Sequence, residues 1–105
     1  LMVVVRGAFA VLRFDEAGCV LARVDLRAGD GDCAVEIPAY AWHCVVSLAP
    51  GTIMFEVKPG PYSPLEDKDF AAWAPPEGDA RTPDWVRWFE TAKPGERAPG
   101  SSDLP

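Results

Sequence analysis

Between residues 20 and 27 the chain alternates in character, and this period of two constrains the fold more than any other feature. Val20, Ala22, Val24 and Leu26 alternate with Leu21, Arg23, Asp25 and Arg27, so an extended segment buries one set and wets the other. Ala8 to Phe14 pairs with this segment, because Asp15-Glu16-Ala17-Gly18 between them offers turn chemistry. Gly18 is free to take the left-handed conformation that lets the chain return, and the two segments form a β-hairpin. Further short strands follow at regular spacing: Cys33 to Ile37 after the turn at Ala28-Gly29-Asp30-Gly31-Asp32, then His43 to Leu48, then Thr52 to Lys58 after the reversal at Ala49-Pro50-Gly51. Strands so spaced indicate a β-sandwich or barrel. With 105 residues and 49% hydrophobic content, the chain can build one domain around one core.

Past Pro59 the alternation stops. Six of the eleven prolines fall in residues 75 to 105, so this portion wraps the barrel or hangs free and does not extend its sheet. A short helical segment is expected within residues 78–92. Thr82 caps it, Pro83 suits its first position, Asp84 favours the positive end of the dipole, and Trp85, Trp88 and Phe89 share a face. Residues 93–105 are mostly Pro, Gly, Ser and charge, which predicts a disordered tail.

A net charge of −6 argues against nucleic acid and against anionic membrane surfaces, both of which need a basic face. Neither a signal peptide nor an apolar run of about 18 residues is present. Cys19, Cys33 and Cys44 are odd in number and lack C-x-x-C spacing, which reads as free thiols in a reducing cytoplasm. There is no G-x-S-x-G, no phosphate-binding glycine loop and no paired histidines. His43 and Cys44 are neighbours on a strand and point to opposite faces, so they cannot meet as base and nucleophile.

The residues that remain as site candidates cluster around two proline-containing blocks. His43 is the only histidine, and strand alternation puts it on one side with Val45 and Ser47. By spacing alone it is either a half-buried core histidine or a metal ligand. Glu56 and Lys58 lie two apart on one strand and share a face; they are either a surface ion pair of little worth or groups lining a pocket. Tyr62 either closes over the mouth of the barrel or packs outside it. Trp42 and Trp73 read as packing aromatics.

The block Glu36-Ile37-Pro38-Ala39-Tyr40-Ala41-Trp42-His43 resembles the second motif of the cupin superfamily, roughly G-x5-P-x-G-x2-H-x3-N. Its proline and histidine spacings fit; Tyr40 stands where the motif has glycine and Ser47 where it has asparagine. Glycine serves there because the turn needs positive φ, which tyrosine tolerates poorly. A second block, Glu56-Val57-Lys58-Pro59-Gly60-Pro61-Tyr62 followed by Asp67-Lys68-Asp69-Phe70-Ala71-Ala72-Trp73-Ala74-Pro75, is similar to the closing signature of the WbuC family of cupin-fold metalloproteins. Together the blocks cover most of residues 1–77.

The resemblance implies an all-β fold, a cupin-type β-barrel (jelly roll) over residues 1–77, with the short helix and irregular tail after it. It implies a divalent metal ion (Zn, Mn, Fe or Ni alike) held by His43 inside the barrel. Glu56 would serve as acid or base, Lys58 as an anion contact, and Tyr62 as a hydroxyl at the mouth. The implied ligand is a sugar or sugar-nucleotide derivative of bacterial surface-polysaccharide metabolism, and the implied reaction an isomerisation or epimerisation in which the metal acts as a Lewis acid. Gly7 and the six residues before it match the end of the first cupin motif. That match puts a ligand glutamate immediately before Leu1 and makes the barrel N-terminally incomplete, with one of four metal ligands. Two other readings stand beside this one: a cupin that binds a small acid or sugar without turning it over, and an inactive fragment persisting as a homodimer that hides an exposed strand edge.

Overall fold

The computed structural model describes residues 1–59 and 70–99; Tyr62 and Asp67, Lys68 and Asp69 lie outside the described residues. Six strands and one helix follow in order: β1 (Met2–Arg6), β2 (Ala8–Phe14), β3 (Val20–Arg27), β4 (Ala34–Val35), β5 (Trp42–Ser47), β6 (Ile53–Glu56) and α1 (Thr82–Thr91). The chain is mostly β. Its strands make two three-stranded antiparallel sheets, ordered β4-β1-β6 and β3-β2-β5. The expected closed barrel is not formed by the described residues, because no strand of one sheet pairs with a strand of the other and the two sheets meet through side chains alone.

The hairpin at residues 8–27 follows the sequence pattern. β2 and β3 run Ala8↔Arg27 to Phe14↔Val20, with one irregularity at Arg13/Phe14. Asp15 shapes the turn by accepting the N–H groups of Ala17 and Cys19, both at 2.9 Å. β2 is the central strand of its sheet and is buried on both faces, which explains its near-continuous apolar run. Phe9 and Val11 face the other sheet and pack with Met2, Val4 and Leu26. Ala10, Leu12 and Phe14 face the opposite way, joining Val20, Val46 and Ala92 in a second layer under the helix.

α1 lays Trp85, Trp88 and Phe89 toward that second layer. Phe14 meets Trp73, Trp88 and Phe89 with ring centroids 5.0, 6.2 and 6.1 Å away, and Trp73 stacks on Trp85. Thr82 is the first residue of the helix and not its cap. Arg81 occupies the cap position without a side-chain bond, and the Thr82 hydroxyl is buried with no hydrogen-bond partner among the described residues. The other end is closed from the sheet: the Arg23 guanidinium donates to the carbonyls of Phe89 (2.7 Å), Ala92 (2.9 Å) and Glu90 (2.6 Å), satisfying groups a helix C-terminus leaves unpaired.

Residues 93–99, expected to be disordered, are instead threaded along the hairpin. Val20 donates to Glu96, Gly95 to Val20 and Ala98 to Gly18, and Cys19 bridges Arg97. Composition misleads here because backbone groups make these bonds, and Ala98 fills a buried site with a single methyl. None of the described helices is long and apolar enough to cross a membrane.

The sheets are joined at one corner. Gly7, between β1 and β2, has φ +80°, and a Cβ there would lie 2.5 Å from Thr52 Oγ1 and 2.9 Å from Thr52 Cα, so both its backbone angle and the space around it require glycine. The Thr52 hydroxyl accepts the Ala8 N–H at 3.2 Å and lies 2.7 Å from the Ala49 carbonyl it can donate to. Ala28 donates to the Gly7 carbonyl and Leu48 to that of Ala8, so three of the four chain crossings between the sheets meet at this end.

Candidate functional site

The opposite end of the sandwich, away from the Gly7 corner, is spanned by one chain crossing, from β4 to β5. β4 leads there into the turn at Pro38–Ala41, in which Ala41 donates to the Pro38 carbonyl at 3.4 Å. Tyr40 takes φ 64°, the one non-glycine residue with positive φ among those described, and its side chain is fully exposed. This is the backbone conformation that the glycine of the resembling motif would supply. A tyrosine holds it at a cost of about 1–2 kcal/mol, which the surrounding structure must offset.

The turn delivers the chain into β5, where His43 lies directly across from Arg13 of β2. His43 is on the face of its sheet that Phe9 and Val11 use for packing against the other sheet, but it stands past the end of that packing and is exposed. It is therefore not enclosed in a barrel. Its Nδ1 lies 2.9 Å from the Ala41 carbonyl oxygen. A carbonyl only accepts, so Nδ1 carries the proton, and in the neutral ring Nε2 holds the free lone pair. This arrangement orients the imidazole in the way metal-bound or proton-accepting histidines are oriented.

β6 supplies the facing wall. Its register with β1 pairs Met2 with Glu56 and Val4 with Met54, so Glu56 shares the inward face of Met2 and Val4. Lys58 follows two residues on. His43, Glu56 and Lys58 together line a cleft of about 560 Å³, whose other walls include Glu36, Tyr40 and Met2. A space of this size lies within the range of small-molecule sites, about 300–1,000 Å³. Three residues singled out in the sequence are thus brought to one place from two sheets; Tyr62 lies outside the described residues. Ser47 shares His43's face, but its hydroxyl donates to Ala49 at 2.9 Å, toward the Gly7 end and away from the cleft.

Glu36 and Tyr40 belong to the cleft and carried no role in the sequence reading; the signal for them was their place in the block that ends at His43. Arg13 was missed because strand register is not visible in sequence. Its Nε is buried with no hydrogen-bond partner among the described residues. Cys44 points to the other face, into the layer under α1, where burial pushes its thiol pKa up to about 12. It plays no part at the cleft.

The divalent metal that the resemblance implies needs at least three converging protein donors. Among the described residues no three His, Cys, Asp or Glu side chains come together in a way that could hold an ion. Glu36, His43 and Glu56 line one cleft without converging as a donor set, so these residues do not fit a resident divalent metal. No family model matches the chain, and neither a curated protein nor a solved structure matches it.

Proposed function

We propose that the cleft binds a small hydroxylated, anionic molecule of the sugar-derivative type, in a cupin-like domain of bacterial surface-polysaccharide metabolism. The observation that carries this reading is the convergence of His43, Glu56 and Lys58 on one cleft of small-molecule size. Lys58 offers an ammonium to a phosphate or carboxylate, Glu56 accepts hydroxyl protons, and the lone pair on His43 Nε2 accepts another. The positive φ of Tyr40 supports the cupin part of the reading, since strain of this kind is held where a turn must present a site. The finer part is an isomerase- or epimerase-like reaction. In it Glu56 takes a proton from the carbon beside a carbonyl, and Lys58 faces the oxygen on which charge develops. A divalent ion at His43 requires donors beyond those the described residues bring together, and no step is routed through one.

Titration calorimetry with glucose 1-phosphate as probe tests the binding. Lys58→Met is expected to weaken it at least tenfold, while an Arg27→Met control at the Gly7 end leaves it unchanged. Absence of wild-type binding at millimolar probe, or equal affinity in Lys58→Met, refutes the site. Exchange of the C2 proton of glucose 6-phosphate in D2O, read by NMR and lost in Glu56→Gln, tests the catalytic part separately, because its open-chain form has the carbonyl that glucose 1-phosphate lacks.

A further inference from the structure

The free edge of β6 is built to pair with itself. Leu1 and Val57 exchange both backbone bonds, at 3.0 and 2.8 Å, which makes them a hydrogen-bonded pair of the β1–β6 ladder. Antiparallel pairs alternate, so Val3 and Phe55 form the next such pair, and the N–H and C=O of Met54 and Glu56 point away from β1. Such an unpaired row is a template for another strand unless it is blocked. The other edges are blocked: β4 is two residues long, β3 carries Arg23, Asp25 and Arg27, and α1 packs against β5. β6 carries its charges, Glu56 and then Lys58, on the inner face only, with Pro59 beyond them, and its outer face is uncharged. On its outer face Ile53, Phe55 and Val57 are 49, 60 and 48% exposed, and Val5 and Leu1 continue the patch.

The order of residues selects the occupant. Ile53, Phe55 and Val57 are spaced symmetrically about Phe55, so the segment is complementary to its own copy reversed. We propose that β6 pairs antiparallel with β6 of a second copy, in the register centred on Phe55. Phe55 then faces the second copy's Phe55, and Ile53 faces its Val57 on the same side. On the inner side Glu56 faces the second copy's Met54 and Lys58 its Thr52, so no like charges meet. Met54 and Glu56 of each copy supply the outward donors and acceptors that this register brings opposite one another. A register centred on Glu56 would oppose two carboxylates, and one centred on Val57 would set Phe55 against Pro59; both lose on cross-strand pairing. The dyad joins the two β4-β1-β6 sheets into one of six strands. It also makes the second copy's Met54 a neighbour of the Glu56 cleft. The contact is small, so a dissociation constant on the order of 10–100 µM is expected.

Sedimentation velocity from about 5 to 500 µM should show a monomer–dimer equilibrium, with Phe55→Lys monomeric throughout and unchanged in near-ultraviolet dichroism. Register is tested by diamide oxidation of Phe55→Cys and Ile53→Cys, each in a Cys33→Ser background that serves alone as control. Residues 55 of the two copies would have Cα atoms about 4.5 Å apart, within disulfide range. Residues 53 would be four positions out of register, about 13 Å apart. Covalent dimer from Phe55→Cys and not from Ile53→Cys supports the proposal. Equal cross-linking, none above the control, a wild type monomeric at 500 µM, or a Phe55→Lys variant that still dimerises overturns it.

Discussion

Replacing Arg23 by methionine tests whether the helix is held to the sheet chiefly by one guanidinium. The substitution keeps most of the apolar stem and removes the fork that reaches three carbonyls at the end of α1. The Arg23 side chain is only 13% exposed, and the bonds to Phe89 and Ala92 are partly shielded, whereas that to Glu90 is exposed and is discounted. Two shielded bonds from a charged donor are worth about 1.5 kcal/mol each, and the loss of a cation at a helix C-terminus adds about 0.3–1 kcal/mol. The expected cost is therefore about 3–4 kcal/mol, a large share of the roughly 5–15 kcal/mol typical of a domain. Arg23→Lys keeps the charge but offers a single point donor, so it should recover only about 1–2 kcal/mol of that loss. Urea unfolding followed by tryptophan fluorescence is the assay, because Trp73, Trp85 and Trp88 all lie at the helix–sheet junction. A loss below about 1 kcal/mol in Arg23→Met, or full stability in Arg23→Lys, would refute the reasoning.

Two further outcomes follow from titratable groups. The Cys19 N–H, foremost, and the Ala17 and Gly18 N–H groups and the Arg97 guanidinium hold the Asp15 carboxyl below the usual carboxylate range. A lowered folded-state value means this stabilisation is complete above the unfolded value, about 3.9, and is lost as pH falls through the lowered one. Asp15→Asn keeps an acceptor oxygen but does not titrate, so its urea midpoint should fall less steeply than wild type between about pH 5 and pH 2; identical acid limbs would contradict this. With its pKa raised from 9.0 to about 12 by burial, Cys44 exposes about 10³-fold less thiolate at pH 8 than it would unburied. Iodoacetamide with mass-spectrometric mapping should therefore label exposed Cys33 in the native protein and Cys44 only after unfolding; comparable rates would show that the thiol is not shielded.

What the sequence revealed divides along local and distant interactions. The β2–β3 hairpin was legible because its strands, turn and register are set by neighbours within twenty residues, and Asp15 and Gly18 mark the turn. Helix α1 was legible from Pro83, Asp84 and the aromatic face, though its cap was off by one residue because Arg81, with no side-chain signature, took that place. The two-sheet arrangement was not legible: β1 has β4 and β6 as neighbours, about 30 and 50 residues away, and nothing local says which strands pair. Nor was the docking of residues 93–99, which depends on backbone bonds and on Ala98, a single small residue with no period around it. At the cleft, Glu56 and Lys58 could be placed on one face by alternation. Their meeting with His43 depends on the pairing of two sheets, which the pattern of either block alone does not contain.

The corner at Gly7 and Thr52 works like the spine of a book. Three of the four crossings between the covers are bound there, while His43 and Glu56 sit near the fore-edge, at the far ends of β5 and β6, where residues 36–41 alone strap one cover to the other. A small change in the angle between the covers leaves the spine almost still and produces its greatest displacement at the fore-edge. The width of the cleft thus answers both to the Gly7–Thr52 packing at the spine and to the length of the strap over residues 36–41 beside His43.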